Sequence, residues 1–334
     1  MQDSAVVLLN MGGASSLGEV PLFLNNMFRD KRILPIAFAP LRYALAKWIT
    51  IRRSALSQSH YRLIGGRSPL LGHTRSLAAK LQKQLDMPVV IAMRYTPPFS
   101  AEAVREIKAL GVKRLAIIPL YPQYSTTTTL SSLTCFYEAL QEAKCHQEHF
   151  AQEHFAIERF YDHPTYNSCV IEAVKEALGR EKADEYALIF SAHSLPQSVI
   201  DRGDPYQAEC KAHAAILTKL LTLENLSFAS VHLAYQSKLG SMKWLEPPLE
   251  SALGEVAASG CKKALIVPIS FTIDNLETDY ELSIDYRKRA KKLGLEVAIA
   301  RCPNDSDLFV TALGQLAIAL LTIGEKQAVK TAIQ

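Results

Sequence analysis

The stretch YALIFSAHSLP, Tyr186 to Pro196, decides the fold. Its apolar run YALIFS leads straight into a Pro-bearing turn that carries His193. A short continuous apolar run closed by a turn reads as a strand buried on both faces, the habit of parallel sheets. Runs of the same kind lie upstream at Ala5 to Asn10, Pro88 to Met93, Arg114 to Leu120 and Phe155 to Phe160. Others follow downstream at Ala229 to Ala234, Ala264 to Ile269 and Leu295 to Ala300. Stretches of helical period separate them, among them Thr74 to Leu85, Ala101 to Leu110, Leu130 to Ala143, Pro205 to Leu223, Leu276 to Leu293 and Asp305 to Thr322. Alternation of strand and helix with long crossovers specifies parallel sheets covered by helices. The pattern predicts an α/β chain of two Rossmann-like lobes, each a four-stranded parallel sheet, with a cleft between them. The division is expected near Asp162 to Pro164, giving lobes 1–163 and 164–304, with the helical stretch 305–334 a candidate to pack back on the first lobe.

Composition narrows the function. With 334 residues, 49% hydrophobic and 21% charged, the chain is neither disordered nor fibrous. A net charge of +4 is too mild for a nucleic-acid binder, and the run RKRAKK (Arg287 to Lys292) reads as a solvated helix face. Six dispersed cysteines without a CxxC pair, and an N-terminus without a secretion signal, fit a reducing cytoplasm. No apolar run reaches the roughly 20 residues that span a bilayer. The nearest, Ile33 to Ile51, is broken by Pro35, Pro40, Arg42 and Lys47. GxGxxG, Walker A and GxSxG signatures are all absent, which removes the usual local marks of nucleotide binding and serine hydrolysis.

Open parallel sheets bind ligands outside the carboxyl ends of their strands. Those positions read NMGG, RYTPP, LYPQYSTTTT and FYDHP in the first half, and SAHSLP, YQSKLG, SFTIDNLET and RCPND in the second. His193 stands out because an imidazole takes a proton or a metal near neutral pH. A turn or core histidine is an equal alternative on its spacing alone. Glu277 opens a helical segment, where a carboxylate suits the positive helix end. That does not account for Glu281 and Asp285, which follow at i+4 and i+8 and repel it by about 0.2–0.5 kcal/mol per pair. Such a stripe wants a cation, supplied either by a metal or proton path or by Arg287 and Arg289 nearby. Histidine with oxygen donors is a reasonable set for ferrous iron.

The motifs in order are NMGG (Asn10 to Gly13), GGRSPL (Gly65 to Leu70), MRYTPP (Met93 to Pro98), YPQYS (Tyr121 to Ser125), SAHSLP, YQSKLG (Tyr235 to Gly240), WLEPP (Trp244 to Pro248) and LETDYEL (Leu276 to Leu282). Together they resemble the ferrochelatase family over essentially the whole chain. The resemblance implies an ATP-independent chelatase that inserts Fe2+ into protoporphyrin IX to form protohaem. It implies His193 and Glu277 as catalytic and metal-binding residues, with Glu281 and Asp285 as a secondary acidic row. Met11, Arg29, Ser68, Arg94, Tyr95 and Trp244 match porphyrin-binding positions. On this reading His193 takes a porphyrin proton or holds iron on one face, with Glu277 opposite.

Three positions depart from the family pattern: Asn275 stands where many members carry His, and Asp279 and Ser283 replace residues that are often Leu and Asp. Segment 33–51 falls where the family has an apolar lip, so peripheral membrane contact competes with a buried helix. The tract QEHFAQEHF, with His146, His149 and His154, reads as an exposed helix end rather than a metal tract. No cysteine follows Cys302, so no iron-sulfur cluster and no resident cofactor are expected. Rival readings are a chelatase for another pair, coproporphyrin with iron or sirohydrochlorin with cobalt, and a non-catalytic porphyrin or haem carrier.

Overall fold

A computed structural model describes residues 3–144, 153–238, 240 and 242–332. The chain forms two compact units, and each is built on one parallel sheet. The first runs β1 (Ser4–Asn10), α1 (Val20–Arg29), α2 (Ala39–Leu63), α3 (Leu70–Leu85), β2 (Val89–Met93), α4 (Ser100–Leu110), β3 (Arg114–Pro119), α5 (Thr129–Lys144) and β4 (Glu153–Ala156). Its strand order is β2-β1-β3-β4. The central β1 is buried at all seven positions, which is why its sequence does not alternate. Val6 is in register with Val89 and Ser4 with Arg114. Val7, Leu9, Ile107, Ile117 and Phe136 form the core between this sheet and its helices.

The second unit runs α6 (Pro164–Leu178), β5 (Tyr186–His193), α7 (Gln197–Ile200), α8 (Tyr206–Leu223), β6 (Ser230–Gln236), α9 (Leu249–Ala258), β7 (Lys263–Pro268), a π-helix (Glu277–Tyr286), α10 (Arg287–Lys292) and β8 (Glu296–Ile299). The order β6-β5-β7-β8 repeats that of the first sheet. Its core is lined by Ile189, Ala234, Leu253, Ile266 and Leu282. The units are not separated by one cut in the chain. Pro122–Ser125 belongs to the second unit, which resumes at Arg159, while everything from Asp305 belongs to the first. The long helix α11 (Asp307–Ala332) lies against α3 and β3. Lys80 Nζ meets Asp307 Oδ1 at 3.0 Å, Ser76 Oγ donates to Asp305 Oδ2 at 2.5 Å, and Arg114 donates to the Leu321 carbonyl.

Two sequence expectations are corrected here. The stretch 276–293 is not one α-helix: Glu277–Tyr286 winds with the wider i→i+5 turn before α10 begins. The Ser283 hydroxyl donates to the Thr278 carbonyl five residues back, and Asn275 Oδ1 accepts the Glu277 N–H at the helix entrance. The reading of the His tract as a helix end is corrected at His154 alone. His154 lies on edge strand β4, beside the Tyr137 ring at 5.2 Å; His146 and His149 lie outside the described residues.

Candidate active site

His193 is the last residue of β5, so the sheet delivers its side chain at the carboxyl edge. Its main chain is fixed twice. The N–H donates to Ser270 Oγ at 2.9 Å, and the carbonyl accepts from the Tyr206 hydroxyl at 2.9 Å. Phe271 packs edge-on against the ring. His193 Nδ1 lies 2.8 Å from Glu277 Oε2, with the two side chains 36% and 26% exposed. Glu277 thus stands behind the imidazole, not opposite it: a hydrogen-bonded pair leaves no space for a macrocycle between its members. The geometry corrects the two-faced expectation. A carboxylate at Nδ1 holds the proton there and leaves Nε2 as the basic nitrogen.

Glu281 joins this pair through Ser237. The Ser237 N–H donates to Glu281 Oε1 at 2.9 Å, and its hydroxyl contacts Glu281 Oε2 and, at 3.3 Å, Glu277 Oε2. Ser237 holds φ at +68°, a left-handed conformation that costs a non-glycine residue on the order of 1 kcal/mol. Sequence reasoning missed this residue, because what it contributes first is a backbone N–H. Burial opposes charge on His193, but the Glu277 and Glu281 carboxylates outweigh it and raise the imidazole above its ordinary value. Burial and the neighbouring Glu277 push Glu281 up to about 7.

Asp285 does not share the cluster. It pairs with Arg289 at 2.9 Å, the neutralised face that spacing left open. Asn275 is likewise no ligand in this arrangement. Its Oδ1 accepts from Glu277 N, and its Nδ2 donates to the Ile273 carbonyl. Trp244 bridges to Pro196, which sets it beside the turn that carries His193. Among the described residues no three His, Cys, Asp or Glu side chains are grouped to hold a metal ion.

In the first unit Met11, Ser68, Arg94 and Tyr95 gather around the ends of β1 and β2. Arg94 N donates to the Asn10 carbonyl and Tyr95 N to that of Met11, at 2.8 and 2.9 Å. Gly12 has φ +86°, and a Cβ there would stand 2.2 Å from Thr96 Oγ1; one on Gly13 would stand 2.8 Å from Ser68 Cβ. The NMGG motif is therefore glycine because two neighbouring segments close on it. Arg29 stands apart from this group, at the exposed end of α1, with its guanidinium 4.1 Å from the Tyr43 ring centroid.

Two parallel α/β sheets of the same strand order make a chelatase-like fold. The solved structure of SirB from Bacillus subtilis with Fe3+ shares the fold, with TM-score 0.59 at 10% identity over 97% of this chain and 98% of that one. A family model described as ferrochelatase matches residues 3–320. Proteins named ferrochelatase from Nitratiruptor sp. and Sulfurimonas denitrificans are 50% and 46% identical to it, over 92% and 94% of this chain and 97% and 98% of theirs. A third, from Wolinella succinogenes, is 47% identical over 96% of this chain and 98% of its own length. The chain belongs to the ferrochelatase family.

Proposed function

We propose that this chain inserts ferrous iron into protoporphyrin, releasing two protons and forming protohaem, the last step of haem biosynthesis. The observation that carries the reading is the His193–Glu277 hydrogen bond, which leaves Nε2 open at the carboxyl edge of the second sheet. Metallation removes two pyrrole protons and strips water from the metal. His193 Nε2 takes the two pyrrole protons one after the other, passing each to water, and the imidazolium formed each time is held by Glu277. Glu281, raised toward neutrality, and the Ser237 hydroxyl offer weak oxygen donors to incoming iron, which must be released again to the macrocycle. Met11 and Arg94 in the first unit and Trp244 in the second are the groups offered to the porphyrin, and the buried Tyr95 backs Arg94 through Asp30. The reading invokes no resident cofactor. The test is anaerobic loss of porphyrin fluorescence with ferrous, cobalt and zinc ions, using protoporphyrin and coproporphyrin in parallel. Fastest turnover with iron and protoporphyrin is expected; faster turnover of another pair would reassign the substrate.

No helix among the described residues is long and apolar enough to cross a membrane. For α2 and its approach we propose peripheral contact with an anionic bilayer, at the inner face of the cytoplasmic membrane. Phe38, Leu41, Trp48 and Ile51 are each more than half exposed, and Arg52 lies 5.4 Å from the Trp48 ring, the mixture that settles at a headgroup boundary. Co-sedimentation with phosphatidylglycerol vesicles should fall on the order of tenfold in a Trp48→Ser, Ile51→Ser protein. Equal sedimentation of both proteins would remove the segment from this role.

A further inference from the structure

Asp30 is a buried carboxylate placed where a helix least wants one. It follows the last residue of α1, at the negative end of the helix dipole, and its side chain is only 4% exposed. Such a group persists only when donors surround it. Oδ1 accepts the Arg32 N–H at 2.9 Å. Oδ2 accepts from Arg94 Nη2 at 2.9 Å, from the Tyr95 hydroxyl at 3.0 Å and from the Ser131 hydroxyl. Burial pushes this carboxyl up, and Ser131, the Arg32 amide, Arg94 and Tyr95 together bring it below its ordinary value. Tyr95 is raised by its own burial and by the Asp30 charge, so its phenol stays protonated and donates.

The consequence falls on Arg94. This residue follows the last position of β2, where open sheets present ligand-binding groups, and its side chain is 24% exposed. Nη2 is used by Asp30, and Nε donates to Ser131 Oγ at 3.0 Å. Ser131 itself is tied to Asp30, so both inner nitrogens report to one carboxylate. The guanidinium keeps three N–H groups for an anion, both of those on Nη1 and the second on Nη2.

We propose that Asp30 is a positioning residue for tetrapyrrole recognition: it locks the Arg94 guanidinium so that Nη1 meets a propionate carboxylate of the porphyrin. This rests on the porphyrin reading above and adds a residue and a ligand group to it. A locked fork binds a carboxylate at lower entropic cost than a free arginine does, because its rotamer is already chosen.

The test is a double-mutant cycle on porphyrin affinity, read by fluorescence titration with protoporphyrin IX and, in the same dilute detergent, its dimethyl ester. Binding of protoporphyrin IX by the unmutated protein is the control; its failure would strike the porphyrin reading itself. Asp30→Asn and Arg94→Ala should each weaken binding of the diacid on the order of tenfold, and the double variant should be no weaker than Arg94→Ala alone. Affinity for the ester, which lacks free carboxylates, should be the same in all four proteins. Diacid binding by Asp30→Asn unchanged, its loss multiplying with that of Arg94→Ala, or an equal loss with the ester would each overturn the proposal. If Asp30→Asn does not fold, Ser131→Ala, which removes the acceptor of Nε, carries the same comparison. Weakened diacid binding with unaltered ester binding supports the proposal, and unaltered diacid binding overturns it.

Discussion

Replacing His193 with Ala is expected to lower metal insertion on the order of 10^3-fold while porphyrin affinity stays within about twofold. The substitution removes the one nitrogen that is both basic and open, since Nδ1 is occupied by Glu277 at 2.8 Å. It leaves untouched the groups that would contact the rest of a flat macrocycle. Initial rates of haem formation, with fluorescence titration of the porphyrin alongside, check both halves. A His193→Ala protein that works at near-normal rate would take the imidazole out of the chemistry. Glu277→Gln supplies the companion measurement: it keeps the shape and removes the charge. Burial then acts on the imidazole with only the smaller Glu281 contribution against it, so the His193 ring signal, followed by NMR in the free protein, should titrate at lower pH than in the unmutated chain.

Stability should drop sharply in acid because of His213. This α8 residue is fully buried; its Nδ1 accepts from Gln123 Nε2 at 2.8 Å, and its Nε2 donates to Asn167 Oδ1 at 2.9 Å. Gln123 Nε2 also donates to the Ile269 carbonyl, so one neutral imidazole ties α6, α8, the segment Pro122–Ser125 and the turn after β7 together within the second unit. Burial lowers its pKa to about 3. A histidine depressed in the folded state contributes stability in full above its unfolded value of about 6.5, and loses it as pH falls toward the folded value. The slope is about 1.4 kcal/mol per pH unit across that window, so roughly 2 kcal/mol is gone by about pH 5. Urea unfolding at several pH values should show a shallower slope for His213→Gln, which keeps a donor and an acceptor but cannot titrate. Identical slopes would mean that His213 is protonated in the fold.

The strands were legible because two-faced burial leaves its mark in continuous apolar runs such as VVLL and ALIV. Edge strands were less so: β4 occupies Glu153–Ala156, ahead of the apolar run Phe155 to Phe160, because pairing with Arg114–Ile117 sets its position more than hydrophobicity does. Motif order singled out His193, Glu277 and Glu281. It could not disclose that the first two touch, since a strand end and a helix start 84 residues apart acquire their distance only in three dimensions. The π winding was hidden too: LETDYELSIDY suits an ordinary helix, and the local bonds that accompany its wider turn, from Ser283 to the Thr278 carbonyl and from the Glu277 N–H to Asn275, leave no mark in the pattern of apolar residues. Asp30 was passed over because a charge just after a helix is ordinarily solvated.

The assignment of α11 to the first unit has a consequence for synthesis. All the chain that the second unit uses has left the ribosome once Asn304 is clear, whereas the first unit still lacks the helix that lies against α3 and β3. The half that begins earlier is therefore the half that finishes later. A nascent chain stalled before Asp305 would hold one completed sheet domain and one with an apolar flank waiting on ribosomal release, the species on which a chaperone has most reason to act.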